Sequence, residues 1–409
     1  MSATLDLAAV RVRFPALQRE RGGRAVAYLD GPGGSQAPAS VIEAVAGYLR
    51  SSAANDGGAF DSSVETQAVI AEARRAAADF SGSGPEEIAF GANMTTLNFL
   101  LAHAVARTLE PGDEIVVTDL DHDANVAPWL LVARDHDLVV RHAPIRPADG
   151  TLDEDALEEA VGPRTRVVAF TLASNAVGSM PDARRIAAAA HDVGALAWAD
   201  AVHMAPHRRL RRTDTGLDVL LCSPYKFFGP HLGVAAIDAD LARSLPADRV
   251  RPAAEDPPGH RFETGTQSFE AMAGTIAAID YISSLGEGDT RPERLESAFE
   301  RIERHERELA RRFLEGAREM ESLELYGPSG LERRTPTFAF NVAELSPRSV
   351  AEELASRGIN VWDGDFYALA PIRALGLGER GVVRAGFLHY TTEEEVERLL
   401  EALELLAGA

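Results

Sequence analysis

The chain has 409 residues, too many for one ordinary hydrophobic core and suited to two unequal domains. Its formal net charge of −22, from 63 acidic and 41 basic residues, repels phosphate backbones and argues against a nucleic-acid partner. No apolar run approaches the ~20 residues of a membrane span, and the N-terminus lacks the basic and apolar regions of an export signal, so we expect a cytoplasmic protein with no membrane partner.

The N-terminal part of the chain is predicted to be mainly helical. A short helix at about residues 5–13 precedes a strand-like segment at 25–29. Helical patterns then dominate from about residue 41 to 108, including the segments 65–80 and 95–108.

The central segment alternates short apolar runs with helical stretches at 152–161 and 183–193. Strand–helix alternation of this kind indicates a mostly parallel sheet that is covered on both faces. The runs predicted to be buried strands are residues 114–118, 138–140, 167–171, 196–199, 219–222 and 234–237.

The C-terminal part is predicted to form a smaller α+β domain. Proline and charge at 246–258 indicate a loop, and a long, highly charged helix follows at about 292–320. Strands are predicted at 337–341 and 382–386, and helices at 349–357 and 393–406. We therefore expect a large domain over residues 20–288 and a small domain formed by residues 1–19 and 289–409.

The strongest local signal is Lys226, within Ser-Pro-Tyr-Lys-Phe-Phe-Gly-Pro directly after the predicted strand 219–222. It is the only lysine, and the remaining basic residues among the 41 are all arginine. Arginine stays protonated, whereas a lysine amine can lose its proton and form an imine. The alternative is a surface lysine in a chain that has drifted toward arginine, but the strand-end position among aromatic and glycine residues argues against it.

Asp200 ends another predicted strand, where ligand sites of open α/β sheets lie. Alone it is equally well explained as a structural residue. Together with Lys226 it forms the pair that pyridoxal phosphate (PLP) enzymes use, in which an acid keeps the pyridine nitrogen protonated and the ring acts as an electron sink. The pair predicts PLP as the cofactor.

Two further segments support this hypothesis. His122 follows the strand at 114–118, and a flat imidazole can stack on a cofactor ring or carry protons near neutral pH. Asn93, Met94 and Thr95 open the helix at 95–108, and such a helix N-terminus binds phosphate readily. Simple helix capping by Asn93 or Thr95 explains the second segment equally well.

At this point the motifs identify a family resemblance over nearly the whole chain. The sequence resembles class V aminotransferase-fold PLP enzymes and, among them, SufS-like cysteine desulfurases. The resemblance implies an α/β, type I PLP-dependent transferase fold: a large domain with a mostly parallel seven-stranded sheet, and a small α+β C-terminal domain. The motifs that carry it are Tyr28-Leu29-Asp30, Asp121 to Asn125, Ser174 to Gly178, Asp200 to His203, Ser223 to Lys226, Thr264 to Thr266, Arg384 and His389 to Glu395.

The resemblance also implies roles for single residues. Lys226 binds the cofactor covalently and moves the substrate proton, Asp200 pairs with the pyridine nitrogen and His122 stacks on the ring. Asn175 and His203 flank the phenolic oxygen, where His203 replaces the usual glutamine. The residues implied to bind phosphate are Met94, Thr95, Ser223 and Tyr225, and Tyr225 replaces a histidine that is common in the family. The resemblance also implies a homodimer, in which Gly265 and Thr266 bind the phosphate of the partner subunit.

Substrate-side residues follow from the same resemblance. Arg384 clamps an α-carboxylate, so we expect a small-molecule substrate that is an amino acid or is derived from one. Asn175 also faces the substrate, and Trp362, Asp365 and Tyr367 line its side of the pocket. Residues 55–60 are expected there too if the N-terminal loops fold as in the family.

One departure from the family changes the predicted chemistry. Tyr367 stands where desulfurases carry the cysteine that becomes a persulfide, and a phenol cannot accept a sulfane sulfur. The sole thiol, Cys222, ends a predicted strand, is interpreted as a packed core residue, and excludes an internal disulfide and a cysteine-built metal site. We expect no metal and no persulfide-forming activity.

Three reactions remain open at this stage: elimination, including C–S lysis without persulfide, transamination, and racemisation or epimerisation. We favour a lyase-type reaction, with transamination next. Tyr367 either protonates a leaving group or merely closes the pocket. A non-catalytic scaffold that keeps PLP for stability is a further alternative, against which Lys226, Asp200, His122 and Arg384 argue together.

Overall fold

The structure is a computed structural model that describes residues 5–407. Its strands, numbered in chain order, are β1 Glu20–Arg21, β2 Arg24–Ala25, β3 Ala27–Tyr28, β4 Ile88–Gly91, β5 Glu114–Thr118, β6 Val139–Ala143, β7 Ile145–Arg146, β8 Thr151–Leu152, β9 Thr165–Thr171, β10 Leu196–Asp200, β11 Val219–Cys222, β12 Gly233–Ile237, β13 Leu323–Tyr326, β14 Thr337–Val342, β15 Ile359–Asn360, β16 Trp362–Gly364 and β17 Val382–Gly386.

The α-helices surround these strands. They are α1 Leu7–Arg11, α2 Ala39–Ser51, α3 Asp61–Ser81, α4 Met94–Ala106, α5 Ala127–Asp135, α6 Glu154–Ala160, α7 Ala183–Asp192, α8 Arg212–Thr215, α9 Ala239–Ser244, α10 Phe269–Ser283, α11 Arg291–Arg318, α12 Pro347–Ser356, α13 Leu369–Ala374 and α14 Glu393–Ala407. Within residues 5–407, none of the helices combines the length and apolar character that a membrane crossing needs.

The larger sheet has seven strands in the order β4-β12-β11-β10-β9-β5-β6. Six of them run parallel, and β12 is antiparallel to both of its neighbours. Alternate residues of one strand enter two separate apolar clusters, as Ile115 and Val116 or Leu220 and Leu221 do. The central strands are therefore buried on both faces, which is why they appear in the sequence as continuous apolar runs. The edge strand β6 is largely exposed, so the prediction of a buried strand at residues 138–140 was wrong about its burial.

The smaller sheet has the order β13-β14-β17-β16, and all of its neighbouring pairs are antiparallel. Helices α11, α12 and α14 cover it, with the Phe313 and Phe338 ring centroids 4.4 Å apart. Strand β3 pairs with β15, and the Arg11 guanidinium lies 3.0 Å from the Glu395 carboxylate. The start of the chain therefore packs against the C-terminal part, while the domain limits at residues 20 and 288 stay a prediction.

The predicted fold class is confirmed: an α/β architecture of fold type I with a seven-stranded, mostly parallel sheet and a smaller C-terminal unit. The bounds of β5, β11 and β17 agree with the sequence prediction to the residue. One expectation was incomplete. The segment 41–108, predicted to be mainly helical, also contains the edge strand β4, which is short, ends in a glycine and is flanked by two long helices.

Candidate active site

A cavity of about 640 Å³ opens at the carboxyl edge of the seven-stranded sheet. Strands β9 and β10 end in it at Thr171 and Asp200, and Ser223 follows β11. This is the position at which open α/β sheets bind ligands. The lining residues are Asn93, Met94, Thr95, Thr96, Phe99, His122, Ala124, Thr171, Ala173, Asn175, Asp200, Val202, His203, Ser223, Tyr225, Lys226 and His231.

Lys226 lies at the end of the single 3₁₀ turn that follows β11. Its side-chain amine donates a hydrogen bond to the Pro32 carbonyl, and the residue is only 9% exposed. Burial lowers the pKa of Lys226 to about 7; the nearby cation of Arg384 lowers it too, and the Asp200 carboxylate opposes the shift. A large fraction of this amine is therefore unprotonated at neutral pH.

Asp200 is held at the end of β10 with its side chain buried. The Val202 backbone N–H donates to Asp200 Oδ1 at 2.8 Å, which fixes the carboxylate orientation. Burial raises the pKa of Asp200 to about 6, while that hydrogen bond and the positive charge of Lys226 act in the opposite direction. A cation placed against this carboxylate would lower its pKa again, so the site favours a positively charged partner.

His122 presents a neutral imidazole to the cavity. The Ala124 backbone N–H donates to His122 Nδ1 at 3.0 Å, so the ring proton of the neutral form is on Nε2. Burial lowers the pKa of His122 to about 4, assisted by the cations of Lys226 and Arg384. The ring is therefore a flat, uncharged surface at neutral pH.

A buried polar network under the His122 loop escaped the sequence prediction. Asn125 donates to Asp121 Oδ1 at 2.7 Å, and Asn98 donates to Asn125 Oδ1 at 3.1 Å. The Trp198 indole donates to Asn98 Oδ1 at 2.9 Å. Burial raises the pKa of Asp121 to about 8, so this carboxyl is mainly neutral at pH 7. Asp121 and Asn125 belong to a motif that carries the family resemblance, but the sequence prediction gave neither of them a role.

His203 lies against the smaller sheet. Its Nε2 is 2.9 Å from the Thr337 hydroxyl and 3.3 Å from the Thr335 hydroxyl. Burial lowers the pKa of His203 well below its ordinary value, and the neighbouring His207 and Lys226 contribute to the same effect. A threonine pair on the C-terminal part of the chain thus orients a neutral histidine in the cavity.

The N-terminus of α4 meets the loop after β11. The Met94 backbone N–H donates to Ser223 Oγ at 3.1 Å, and the Asn93 side chain caps the helix by accepting from the Thr96 backbone N–H at 2.8 Å. The Tyr225 ring stacks on His231, with centroids 4.8 Å apart and planes 8° apart. His231, which the sequence prediction did not include, thereby fixes the tyrosine at this end of the cavity.

Gly265 and Thr266 do not line this cavity. They are exposed and belong to an adjacent one of about 340 Å³, whose lining includes Thr96 and His231 as well. Trp362 is also outside the lining: it packs over the turn at Gly33, where an added Cβ would overlap the indole.

The segment that carries Tyr367 lies beside the His122 loop. Phe366 and Tyr367 have φ values of 59° and 56°, a left-handed conformation that costs about 1–2 kcal/mol for each non-glycine residue. The Asp123 backbone N–H donates to the Tyr367 carbonyl at 2.8 Å, and Asp365 Oδ1 accepts from the Tyr367 backbone N–H at 3.0 Å. The Tyr367 ring is 5.5 Å from that of His122, although the residue is 70% exposed.

Arg384, on β17, is buried beside the cavity rather than in its lining. It donates to the Asn175 carbonyl at 2.8 Å, and burial lowers its pKa to about 9. Within residues 5–407 neither Arg384 Nε nor Asn175 Oδ1 has a hydrogen-bond partner, although both atoms are buried. Unsatisfied buried polar atoms of this kind are expected where a polar ligand binds.

The residues present fit PLP. The cavity has the volume of a small-molecule site, and it combines a buried lysine, a buried carboxylate, a flat imidazole and the N-terminus of α4. Bound PLP supplies an electron sink for a negative charge that develops at the substrate Cα.

A fold of this type, with one buried lysine at the carboxyl edge of its sheet, is that of a PLP-dependent enzyme. The chain belongs to the aminotransferase class-V family, whose model matches residues 27–399.

Two curated relatives and one solved structure illustrate the similarity. A cysteine desulfurase from Pectobacterium carotovorum is 31% identical, with 97% of this chain and 96% of that protein covered. The aminotransferase-like protein FGM3 from Gibberella zeae is also 31% identical and covers 99% of both chains. The apo structure of a cysteine desulfurase from Thermococcus onnurineus NA1 superposes with a TM-score of 0.89 at 29% identity and covers both chains fully.

The depressed pKa of Lys226 predicts the pH dependence of cofactor capture. With a pKa of about 7, the Lys226 amine, which is predicted to capture PLP, is half unprotonated at neutral pH. We expect the capture rate, followed by absorbance, to rise with pH and level off above about pH 8. Arg384→Gln should move this plateau to higher pH because it removes a neighbouring cation. A rate that still rises tenfold per pH unit up to about pH 10 contradicts the prediction.

Proposed function

We propose that this PLP-dependent enzyme acts on an amino acid or an amino-acid derivative by lyase-type elimination, without a persulfide on the protein. The observation that carries the proposal is Tyr367 in the segment beside His122, together with the position of the only thiol. Cys222 is 1% exposed at the end of β11, and burial raises the pKa of its thiol. A buried, protonated thiol is a poor nucleophile, so it is unsuited to sulfur transfer.

In this proposal Lys226 holds the cofactor covalently and moves the proton at the substrate Cα, and Asp200 keeps the pyridine nitrogen protonated. His122 stacks on the ring, and Asn175 and His203 flank its phenolic oxygen. What supports these roles is the common cavity and the protonation of each group: a titratable amine, a buried carboxylate and two neutral imidazoles. The proposed phosphate ligands are Met94 and Thr95 at the N-terminus of α4, together with Ser223 and Tyr225, which follow β11.

The substrate carboxylate is proposed to bind Arg384 and Asn175. Arg384 Nε is a buried donor without a partner among residues 5–407, and a guanidinium fork matches a carboxylate in shape. On Asn175 the group that can donate to a carboxylate is the side-chain amide nitrogen. Asp365 and Trp362 are proposed as the outer residues of the substrate side of the pocket, and Tyr367 is proposed to close that side. The protonation of a leaving group by Tyr367 is consistent with its contact with the His122 ring.

We further propose a homodimer in which Gly265 and Thr266 complete the phosphate site of the partner subunit. Their exposure next to the cavity that shares Thr96 and His231 with the cofactor side supports this arrangement. Sedimentation analysis of the PLP-loaded protein tests it, and a monomer with full cofactor occupancy contradicts it.

Product analysis with cysteine distinguishes the candidate reactions. Elimination converts cysteine and water into pyruvate, ammonia and sulfide and leaves no sulfur bound to the protein. Transamination stops after one turnover unless a keto acid is supplied, and racemisation returns the enantiomer. If none of these products forms with any amino acid of a panel, the scaffold alternative is favoured instead.

Tyr367→Cys is the variant that tests the persulfide argument. We expect the wild-type protein to carry no sulfane sulfur after incubation with cysteine, whereas Tyr367→Cys gains about one per chain if the segment reaches the substrate sulfur. Mass spectrometry of the intact protein measures both. Tyr326→Cys, outside the segment, is the matched control. Sulfane sulfur on the wild-type chain contradicts the proposed absence of a persulfide.

A further inference from the structure

Phe366 covers the guanidinium group to which the substrate carboxylate is proposed to bind. The Phe366 ring centroid is 3.9 Å from the guanidinium carbon of Arg384, a close cation–π contact. Arg384 is 3% exposed, so the ring removes from solvent a charge that has no acidic hydrogen-bond partner in the described part of the chain. With Arg384 buried in this way, an α-carboxylate can reach the guanidinium N–H groups only after the segment that carries Phe366 has moved.

The same residue also engages Asn175. The Asn175 side-chain amide donates to the Phe366 carbonyl at 2.9 Å, while the amide oxygen is the buried atom left without a partner in residues 5–407. Both proposed carboxylate ligands are therefore in contact with one residue, through its ring on one side and its backbone on the other. A carboxylate that binds both ligands has to replace both contacts.

The backbone of this segment is suited to such a change. Phe366 and Tyr367 are consecutive non-glycine residues in the left-handed region, and Gly364 precedes them with a φ of 120°. Strained residues persist only where surrounding contacts hold them. Here the holding contacts include the hydrogen bond from Asn175 and the stacking on Arg384, so loss of both favours relaxation of the segment.

We propose that Phe366 blocks the access of an α-carboxylate to Arg384 and Asn175 in the free enzyme and is displaced when the substrate carboxylate binds. The inference rests on the proposed function, since it requires Arg384 to be the carboxylate ligand. A charged, hydrogen-bonded carboxylate interacts more strongly with a buried guanidinium than an aromatic face does, so the exchange favours the substrate.

The exchange makes Phe366 a specificity-determining residue. An amine without a carboxylate has no group that binds Arg384, so it leaves the Phe366 ring in place. An amino acid displaces the ring because its carboxylate binds Arg384. Tyr367 adjoins Phe366 in the same strained segment and contacts the His122 ring, so it moves when the carboxylate arrives. Carboxylate recognition is thereby coupled to the position of the tyrosine.

Ligand binding to the PLP-loaded enzyme tests the exchange with glycine and methylamine, which differ only by the carboxylate. Dissociation constants are measured from cofactor absorbance for the wild type, Phe366→Leu and Phe366→Ala. Removal of the competing ring is expected to tighten glycine binding about three- to thirtyfold, the range of a cation–π contact, and to leave methylamine binding within about twofold. Phe366 is half-buried, and two variants of different size guard against a folding defect.

The outcomes separate the exchange from the function on which it rests. Arg384→Gln should weaken glycine binding to the level of methylamine; if it does not, the proposed carboxylate site is wrong. If Arg384→Gln weakens glycine binding but both Phe366 variants bind glycine no more tightly than the wild type, the carboxylate site stands and the exchange is refuted.

Discussion

Replacement of Lys226 by arginine is expected to abolish the cofactor absorbance band at ~420 nm and to lower turnover about a thousandfold or more. Arginine keeps a positive charge but cannot form an imine, and it cannot take up the substrate proton. Lys226→Ala should behave in the same way, because the loss concerns the amine and not the volume of the side chain. Absorbance spectra and steady-state rates of the purified variants measure both effects.

Arg134→Lys provides the matched control for this experiment. Arg134 is an exposed residue that pairs with the adjacent Asp135 at 2.8 Å, so a lysine there adds a second amine far from the carboxyl edge of the sheet. We expect this variant to keep the wild-type band and rate. A double variant, Lys226→Arg with Arg134→Lys, that retains the band would show that the cofactor is not bound through Lys226.

The second large effect is expected for Asp200→Asn. The amide keeps the size of the side chain and accepts the Val202 N–H, but it lacks the negative charge that is proposed to hold a proton on the pyridine nitrogen. We expect kcat to fall by about 10²–10³-fold, as when an aligned electrostatic partner is removed, while PLP still binds. The rate and the cofactor content of the same preparation are the measurements.

Asp121→Asn is the control that the structure offers for Asp200→Asn. Both carboxyls are buried near the cavity, but the pKa of Asp121 is raised to about 8, so at pH 7 this group is already neutral and resembles an amide. The rate should change by less than about tenfold, because the charge state is preserved. Equal losses in the two variants would mean that packing, rather than the charge of Asp200, accounts for the effect.

The pH dependence of apoprotein stability provides a further check on Asp200. Its pKa is raised from 3.8 to about 6 on folding, so the folded chain holds a proton that the unfolded chain has released. The contribution of Asp200 to the free energy of unfolding therefore decreases as pH rises between these values and changes no further above about 6. In Asp200→Asn this contribution disappears, which denaturant titrations of the apoprotein at several pH values measure.

Much of the fold could be predicted because buried strands leave continuous apolar runs, as at Glu114–Thr118 and Val219–Cys222. The edge strand Ile88–Gly91 left too short a run to stand out between helices. The antiparallel direction of Gly233–Ile237 was not predictable either, because an apolar run is the same in both directions.

For the site, residues at strand ends were predictable because parallel strands bring their carboxyl ends to one edge. The contacts that orient them were not. Asn175 and Phe366 are far apart in the chain and come into contact only because the smaller sheet packs beside the larger one. The side chain of Phe366 has no polar group, so the sequence offered no reason to predict a binding role for it. The roles assigned to single residues remain predictions.

The buried position of the only lysine has a practical consequence for handling this protein. Amine-directed reagents, such as activated esters and aldehyde crosslinkers, react with lysine side chains, and the only lysine of this chain lies in the cavity. Apart from the α-amino group, Lys226 is therefore the one amine with which they can react. Stoichiometric acylation of the apoprotein would therefore report directly whether that cavity is open. If the same amine resists acylation once the cofactor is bound, the mass of the protein after acylation measures cofactor occupancy. Neither absorbance nor turnover is needed for that measurement.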